Sequence, residues 1–186
     1  DSTLALSEWD GAAWSAIGIP LEIDAESDGF DFAIDASDTI WVARQHGDAV
    51  VVQSIVLGGD GESLPTIALP SNAYPPALAL SPDGEPFVAV ATRDAQCSMI
   101  TIYQWDQGQW SNLASPLQAD ECNDGPIAIA TSLTYDVAVL YSLDSKPYVK
   151  RWNGSSWKNV GTGSIIDANG TSGTFFPTER AVFSQP

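Results

Sequence analysis

Three pairs of tryptophans, five residues apart within each pair, mark this chain: Trp9/Trp14, Trp105/Trp110 and Trp152/Trp157. They lie in the segments SEWDGAAWSAIG, YQWDQGQWSNLA and KRWNGSSWKNVG. Each reads as an apolar strand, a Trp, a polar Asp or Asn turn, a second Trp and a short apolar run. Trp105 to Trp152 is 47 residues, and Trp9 to Trp105 is 96, about twice that. A hairpin unit recurring at this length cannot bury its apolar face alone, so it must stack on copies of itself.

A second unit recurs between the Trp segments. It reads DFAIDASDTIWVARQ at 31–45, ALALSPDGEPFVAVA at 77–91 and IAIATSLTYDVAVLY at 127–141. Each is an alternating apolar strand, a turn and another apolar strand; Ser81-Pro82-Asp83-Gly84 is strong turn chemistry. The two hairpins together make one four-stranded unit, A to D. No segment has the 3.6-residue periodicity of a helix, so the chain is all-β. Four-stranded antiparallel units at this period predict a β-propeller. The first strand of each unit alternates large and small (Phe32-Ala33-Ile34, Leu78-Ala79-Leu80, Ile127-Ala128-Ile129), which suits an innermost strand crowded at the axis.

The unit boundaries fall at 30–75, 76–125 and 126–173, with a C–D half-unit at 1–29 and an A–B half-unit at 174–186. The simplest assembly is one domain, a four-bladed propeller whose last blade is completed by the two terminal half-blades. A fragment of a larger propeller is one alternative. Completion of a neighbouring molecule's blade, giving a head-to-tail polymer, is another.

Charge narrows the partners. The chain carries 7 Lys+Arg against 24 Asp+Glu, a formal net charge of −17. Such a surface repels phosphate backbones and anionic membranes, so nucleic acid is excluded as a partner. No apolar stretch has the roughly 18 residues of a membrane span, so no membrane insertion is expected. The chain begins at Asp1, as a mature secreted product would, and an extracellular or cell-surface location is expected. Asn153-Gly-Ser155 and Asn169-Gly-Thr171 fit the glycosylation sequon. Cys97 and Cys122 are the only cysteines. In an up-and-down blade their B–C and D–A loops share one face, so a disulfide closing a loop of 26 residues is expected.

The segments WDGAAWSAIG and RWNGSSWKNVG resemble the W-(D/N)-G-x-x-W units of kelch-like propellers in secreted and cell-surface proteins, similar to the galactose-oxidase central domain. ALALSPDGEPFVAV resembles the companion inner hairpin. The resemblance implies architecture. The Tyr, His and Cys copper ligands of galactose oxidase do not map onto this chain, and its oxidase chemistry is not implied.

Candidate chemistry is sparse. The single histidine, His46, stands in a B–C loop without a nucleophile motif, and zinc-type Cys/His spacing is absent. No catalytic residue is assigned. Glu22-Ile23-Asp24-Ala25-Glu26-Ser27-Asp28 alternates like a loose calcium loop, so Asp24, Glu26 and Asp28 are candidate ligands; calcium is the only cofactor considered. Asp35, Asp38, Asp83, Glu85, Asp136 and Glu179 fall in or beside A–B turns, which meet near the axis. A four-residue C–D turn sets the two Trp of a pair opposite each other, whereas a two-residue turn within Asp/Asn-Gly would separate them. Trp9, Trp14, Trp105, Trp110, Trp152 and Trp157 either pack the blades or offer flat apolar platforms to sugar rings. The expected function is a non-enzymatic extracellular interaction module for a glycan or protein surface. The alternative is a structural subunit that self-associates into a filament, and a glycosidase with paired carboxylates ranks third.

Overall fold

The structure is a computed structural model that describes residues 2–23, 29–56, 61–70, 73–93, 98–118, 127–143 and 146–161. The chain is all-β, and no helix occurs among the described residues. A first hairpin pairs β1 (Ser2–Trp9) with β2 (Trp14–Ile23). Three larger antiparallel sheets follow. One has the order β3 (Phe30–Ile34), β4 (Ile40–His46), β5 (Ala49–Ile55), β6 (Ile67–Ala68). The next comprises β7 (Ala77–Leu80), β8 (Pro86–Arg93), β9 (Ser98–Asp106) and β10 (Gln109–Asn112), with β11 (Leu117–Gln118) also paired to β9. The last has the order β12 (Ala128–Thr131), β13 (Val137–Leu143), β14 (Lys146–Trp152), β15 (Trp157–Asn159).

Each sheet is one up-and-down blade, and the first strands β3, β7 and β12 lie side by side across the blades. The A–B turns make this regular. In all three the first turn residue donates its N–H across the turn: Asp35 to Thr39 O, Ser81 to Glu85 O and Ser132 to Asp136 O. The fourth turn residue is left-handed in each: Asp38 (φ 60), Gly84 (φ 87) and Tyr135 (φ 61). One local sequence solution is therefore used three times, with glycine at only one of the three strained positions.

The core lies in the seams between blades. Side chains alternate along a strand, so each sheet has a leading face toward the preceding blade and a trailing face toward the next. At the second seam, trailing Ala33, Ala43, Val50 and Val52 meet leading Leu78, Val88 and Val90. At the third, trailing Ala79, Phe87, Ala89 and Ile102 meet leading Ile127, Ile129, Val137 and Val139. The large–small alternation of the inner strand follows from this: the large residue leads, and the alanine behind it lets the next blade close in. Gly29 serves the same approach. A Cβ placed there would lie 2.2 Å from Pro75 Cβ, where the next blade begins.

The first seam differs. Leading Ile40, Val42 and Ile55 are covered by Leu6 and Ile17 of the β1–β2 hairpin. On the same face of β3, however, Phe30, Phe32 and Ile34 are 45%, 38% and 54% exposed. The counterparts of Phe32 in the closed seams, Leu78 and Ile129, are 5% and 7% exposed, and those of Ile34, Leu80 and Thr131, are half-buried. The half-blade expected at 174–186, and with it closure of the ring, lies outside the described residues.

Candidate functional site

The tryptophans sit at the outer tips of the blades, on the end that also carries the A–B turns. Their pairing is direct: Trp9 opposes Trp14, Trp105 opposes Trp110 and Trp152 opposes Trp157. Ring centroids are 5.6, 5.2 and 5.5 Å apart, at tilted or edge-on angles. Two of the turns are four residues long. There Asp10 Oδ1 accepts from the N–H of Ala12 and Ala13 at 2.7 and 2.8 Å, and Asn153 Oδ1 accepts from Ser155 and Ser156 at 3.2 and 3.0 Å. The bonds from Ala13 and Ala12 hold the Asp10 carboxyl below the ordinary aspartate range, the Ala13 contact contributing most. The third turn is the two-residue Gln107-Gly108, both left-handed. It keeps Trp105 opposite Trp110 because one more pair, Asp106 with Gln109, is added to the ladder.

All three pairs lie on leading faces. Trp105 and Trp110 pack into the second seam, where the Trp110 indole N–H donates to Pro65 O at 2.7 Å. Trp152 and Trp157 pack into the third, where Trp157 Nε1 is buried without a partner. Trp9 and Trp14 have no blade in front of them among the described residues, and they are 50% and 69% exposed. The same motif is thus seam packing in two blades and open aromatic surface in one.

Near the axis the A–B turns carry polar groups that partner one another. The Tyr135 hydroxyl donates to the Asp83 carboxylate of the preceding turn, a bond that raises the Tyr135 pKa. Asp136 accepts from Arg151, which pulls its carboxyl below the ordinary range. For Asp35, burial pushes the pKa up, but N–H donors of Ser37 and Thr39 at 2.8 and 2.9 Å and the Trp41 indole at 3.4 Å pull it further down. No group of three or more His, Cys, Asp or Glu able to hold a metal occurs among the described residues. Asp24, Glu26 and Asp28, together with Cys97, Cys122 and Asn169, lie outside them. Asn153 caps its turn at the surface, and His46 is exposed beside the B–C turn.

The open seam contains a group that the sequence-level reading passed over. Arg44 on β4 lies directly between Phe30 on β3 and Val51 on β5, so its side chain shares their leading face. Its Nε and Nη1 are shut off from solvent and meet no hydrogen-bond partner. The equivalent positions in the next two blades are Val90 and Tyr141, both buried in closed seams. Aligning the three inner hairpins would have shown a cation where the repeat otherwise places a seam residue. A guanidinium offers five N–H donors in a planar fork, and two of these nitrogens are unused here in a chain of net charge −17. Beside it stands the exposed ring of Phe30. Apolar aromatic surface with a few directed donors is the usual lining of a small polar-ligand site.

No protein-family model matches the chain, and no curated protein does. The kelch-like resemblance of the Trp segments therefore stays at the level of architecture. Among solved structures the chain is similar to propeller lectins. A mutant of the Aleuria aurantia lectin in complex with Fucα1-6GlcNAc matches at a TM-score of 0.64 and 16% identity, covering 90% of this chain and 55% of that one. The same lectin mutant with α-methyl-L-fucoside matches at 0.58 and 14%, with the same coverage. A fucose lectin from Kordia zhangzhouensis in complex with methyl-fucoside matches at 0.48 and 13%, covering 73% of this chain and 99% of that one. This chain thus spans about half the length of the Aleuria lectin. At these identities the likeness shows the fold, a β-propeller.

Proposed function

We propose that this chain is a non-enzymatic carbohydrate-binding propeller module, and that its first seam holds a sugar between Arg44 and Phe30. The observation that carries the reading is the unpartnered pair of guanidinium nitrogens. An unsatisfied buried donor costs stability, about 1–3 kcal/mol and more when charged. Such a cost is retained where a ligand supplies the missing acceptors. Sugar hydroxyls and ring oxygens are acceptors of that kind, and the apolar C–H face of a pyranose suits the Phe30 ring. The solved structures sharing this fold hold fucosides, so fucosylated glycans are the first class to test. Carboxylates near the axis support the non-enzymatic side of the reading: Asp83 and Asp136 are already bound to Tyr135 and Arg151.

The test is titration calorimetry of the purified chain with methyl-α-L-fucoside, backed by a glycan array with and without calcium. Arg44→Met should lose at least about tenfold in affinity, equivalent to about 1.4 kcal/mol, while melting at the same temperature or higher. Absence of binding across the array, or unchanged binding by Arg44→Met, sinks the proposal.

A further inference from the structure

We infer that the ligand held at Arg44 is an acidic sugar, one whose single carboxylate, as in a uronic or sialic acid, closes on the guanidinium. The inference deepens the sugar-binding reading above and rests on it. Its ground is charge rather than the number of free donors. An arginine stays protonated throughout the physiological pH range, so Arg44 brings a full positive charge into the first seam. A charge withdrawn from water is ordinarily paired. Arg44 has no carboxylate against it among the described residues, although the chain holds 24 Asp+Glu. Arg151, which is more open to solvent, does have one, in Asp136.

The surroundings are apolar. Phe30 and Val51 flank Arg44 across the sheet, and the fully buried Val42 stands two residues along β4, all on the leading face. Asp31, next to Phe30, belongs to the opposite face: it pairs with Ala43, and its carboxylate accepts from the Leu78 N–H of the next blade. Nε and Nη1 are sealed, whereas Nη2 is not among the sealed donors and makes no hydrogen bond, so a ligand approaches from that end. A neutral hydroxyl there would accept a hydrogen bond but leave the charge uncompensated. A carboxylate supplies acceptors and the opposite charge together, and such charge-assisted bonds are roughly twice as strong as neutral ones. The net charge of −17 sets the other limit. A polysulfated chain is repelled along its length, while a terminal sugar with one carboxylate meets the guanidinium alone.

Titration calorimetry on the full chain tests it, with each acid measured against its own methyl ester, which keeps the shape and removes the charge. The probes are methyl-β-D-glucuronide, the methyl α-glycoside of N-acetylneuraminic acid, their two methyl esters, methyl-α-L-fucoside and a heparin oligosaccharide, at about 0.15 M salt. The expected result is that one of the acids binds at least about tenfold tighter than its ester and than the fucoside, with no binding of heparin. In Arg44→Gln, which keeps amide donors without the charge, the difference between acid and ester should fall below about twofold. Equal binding of acid and ester, a difference that persists in Arg44→Gln, or a fucoside bound as tightly as the better acid overturns the inference and leaves the sugar-binding reading standing. Heparin bound more tightly than either acid overturns it as well, since a spread basic surface would then hold the ligand. Absence of binding by every sugar overturns both. The comparison of acid with ester in the unaltered chain decides the matter even where Arg44→Gln fails to fold.

Discussion

The Asp31 carboxylate accepts a hydrogen bond from the backbone N–H of Leu78 at 2.8 Å, joining the inner strands of two successive blades. An inner strand has one free edge, and its N–H groups need partners that the sheet itself does not supply. A side chain from the preceding blade meets that need. At the next seam the tie runs the other way, the Thr131 hydroxyl of the following blade donating to Leu80 O. Asp31→Ala should therefore leave a part-buried N–H unpaired and lower the unfolding free energy by about 1–3 kcal/mol. Urea denaturation with an unchanged m-value would measure this; a loss below about 0.5 kcal/mol would refute the role.

Asp38 and Tyr135 occupy left-handed backbone where the equivalent residue of the middle blade is Gly84. A side chain in that region costs roughly 1–2 kcal/mol, partly offset by the greater unfolded-state freedom of glycine. Asp38→Gly should raise stability by about 0.5–1 kcal/mol. Tyr135→Gly should gain less, because it also removes the bond to Asp83. Equal gains at both positions in thermal melts would contradict this account.

Trp110 and Trp14 hold the same place in their motifs but different places in the fold. Trp110 is packed in a seam and donates to Pro65 O, whereas Trp14 is open to solvent. Trp110→Ala should cost about 3 kcal/mol or more. Trp14→Ala should cost no more than about 1 kcal/mol, the worth of a cross-strand aromatic pair. Similar losses in paired chemical denaturation curves would show that the first pair is also packed.

Acid should loosen the turns before it unfolds the sheets. Asp10, Asp35 and Asp136 all have carboxyl pKa values held below the ordinary value of 3.8 in the folded chain. A depressed folded pKa adds stability that is present above 3.8 and is lost as pH falls through the lower folded value. Melting temperature should thus fall in acid, below about pH 4, by less in Asp35→Asn than in the parent, since the amide has no proton to take up. Parallel pH profiles for the two proteins would show that Asp35 contributes nothing to the acid response. Gly29→Val, by contrast, should destabilise equally at every pH, because its penalty is the clash with Pro75.

Much of this architecture was legible in the residues. The repeat period, the all-β class, the four strands of each unit and the turns all depend on chemistry within a few positions: alternation, Ser-Pro-Asp-Gly, Asp-Gly, Asn-Gly. Even the large–small inner strand showed its purpose, since alanine behind Leu or Ile allows one blade to approach the next. The length of the middle Trp turn did not show, because Gln107-Gly108 shortens the loop and an added Asp106–Gln109 pair restores the register.

Tertiary structure alone decided what each repeated residue faces. Trp9/Trp14 and Trp105/Trp110 come from one motif, yet one pair is open and the other partly buried in a seam, because a described blade stands in front of only the second. Aligned with Val90 and Tyr141, Arg44 shows in sequence only as a cation; that its Nε and Nη1 are shut off from solvent without a partner is visible in the tertiary structure alone. The physical reason is common to both cases. Alternation along a strand sets which face a side chain takes, but its burial and hydrogen bonding are set by the adjacent blade, some 47 residues away in the chain.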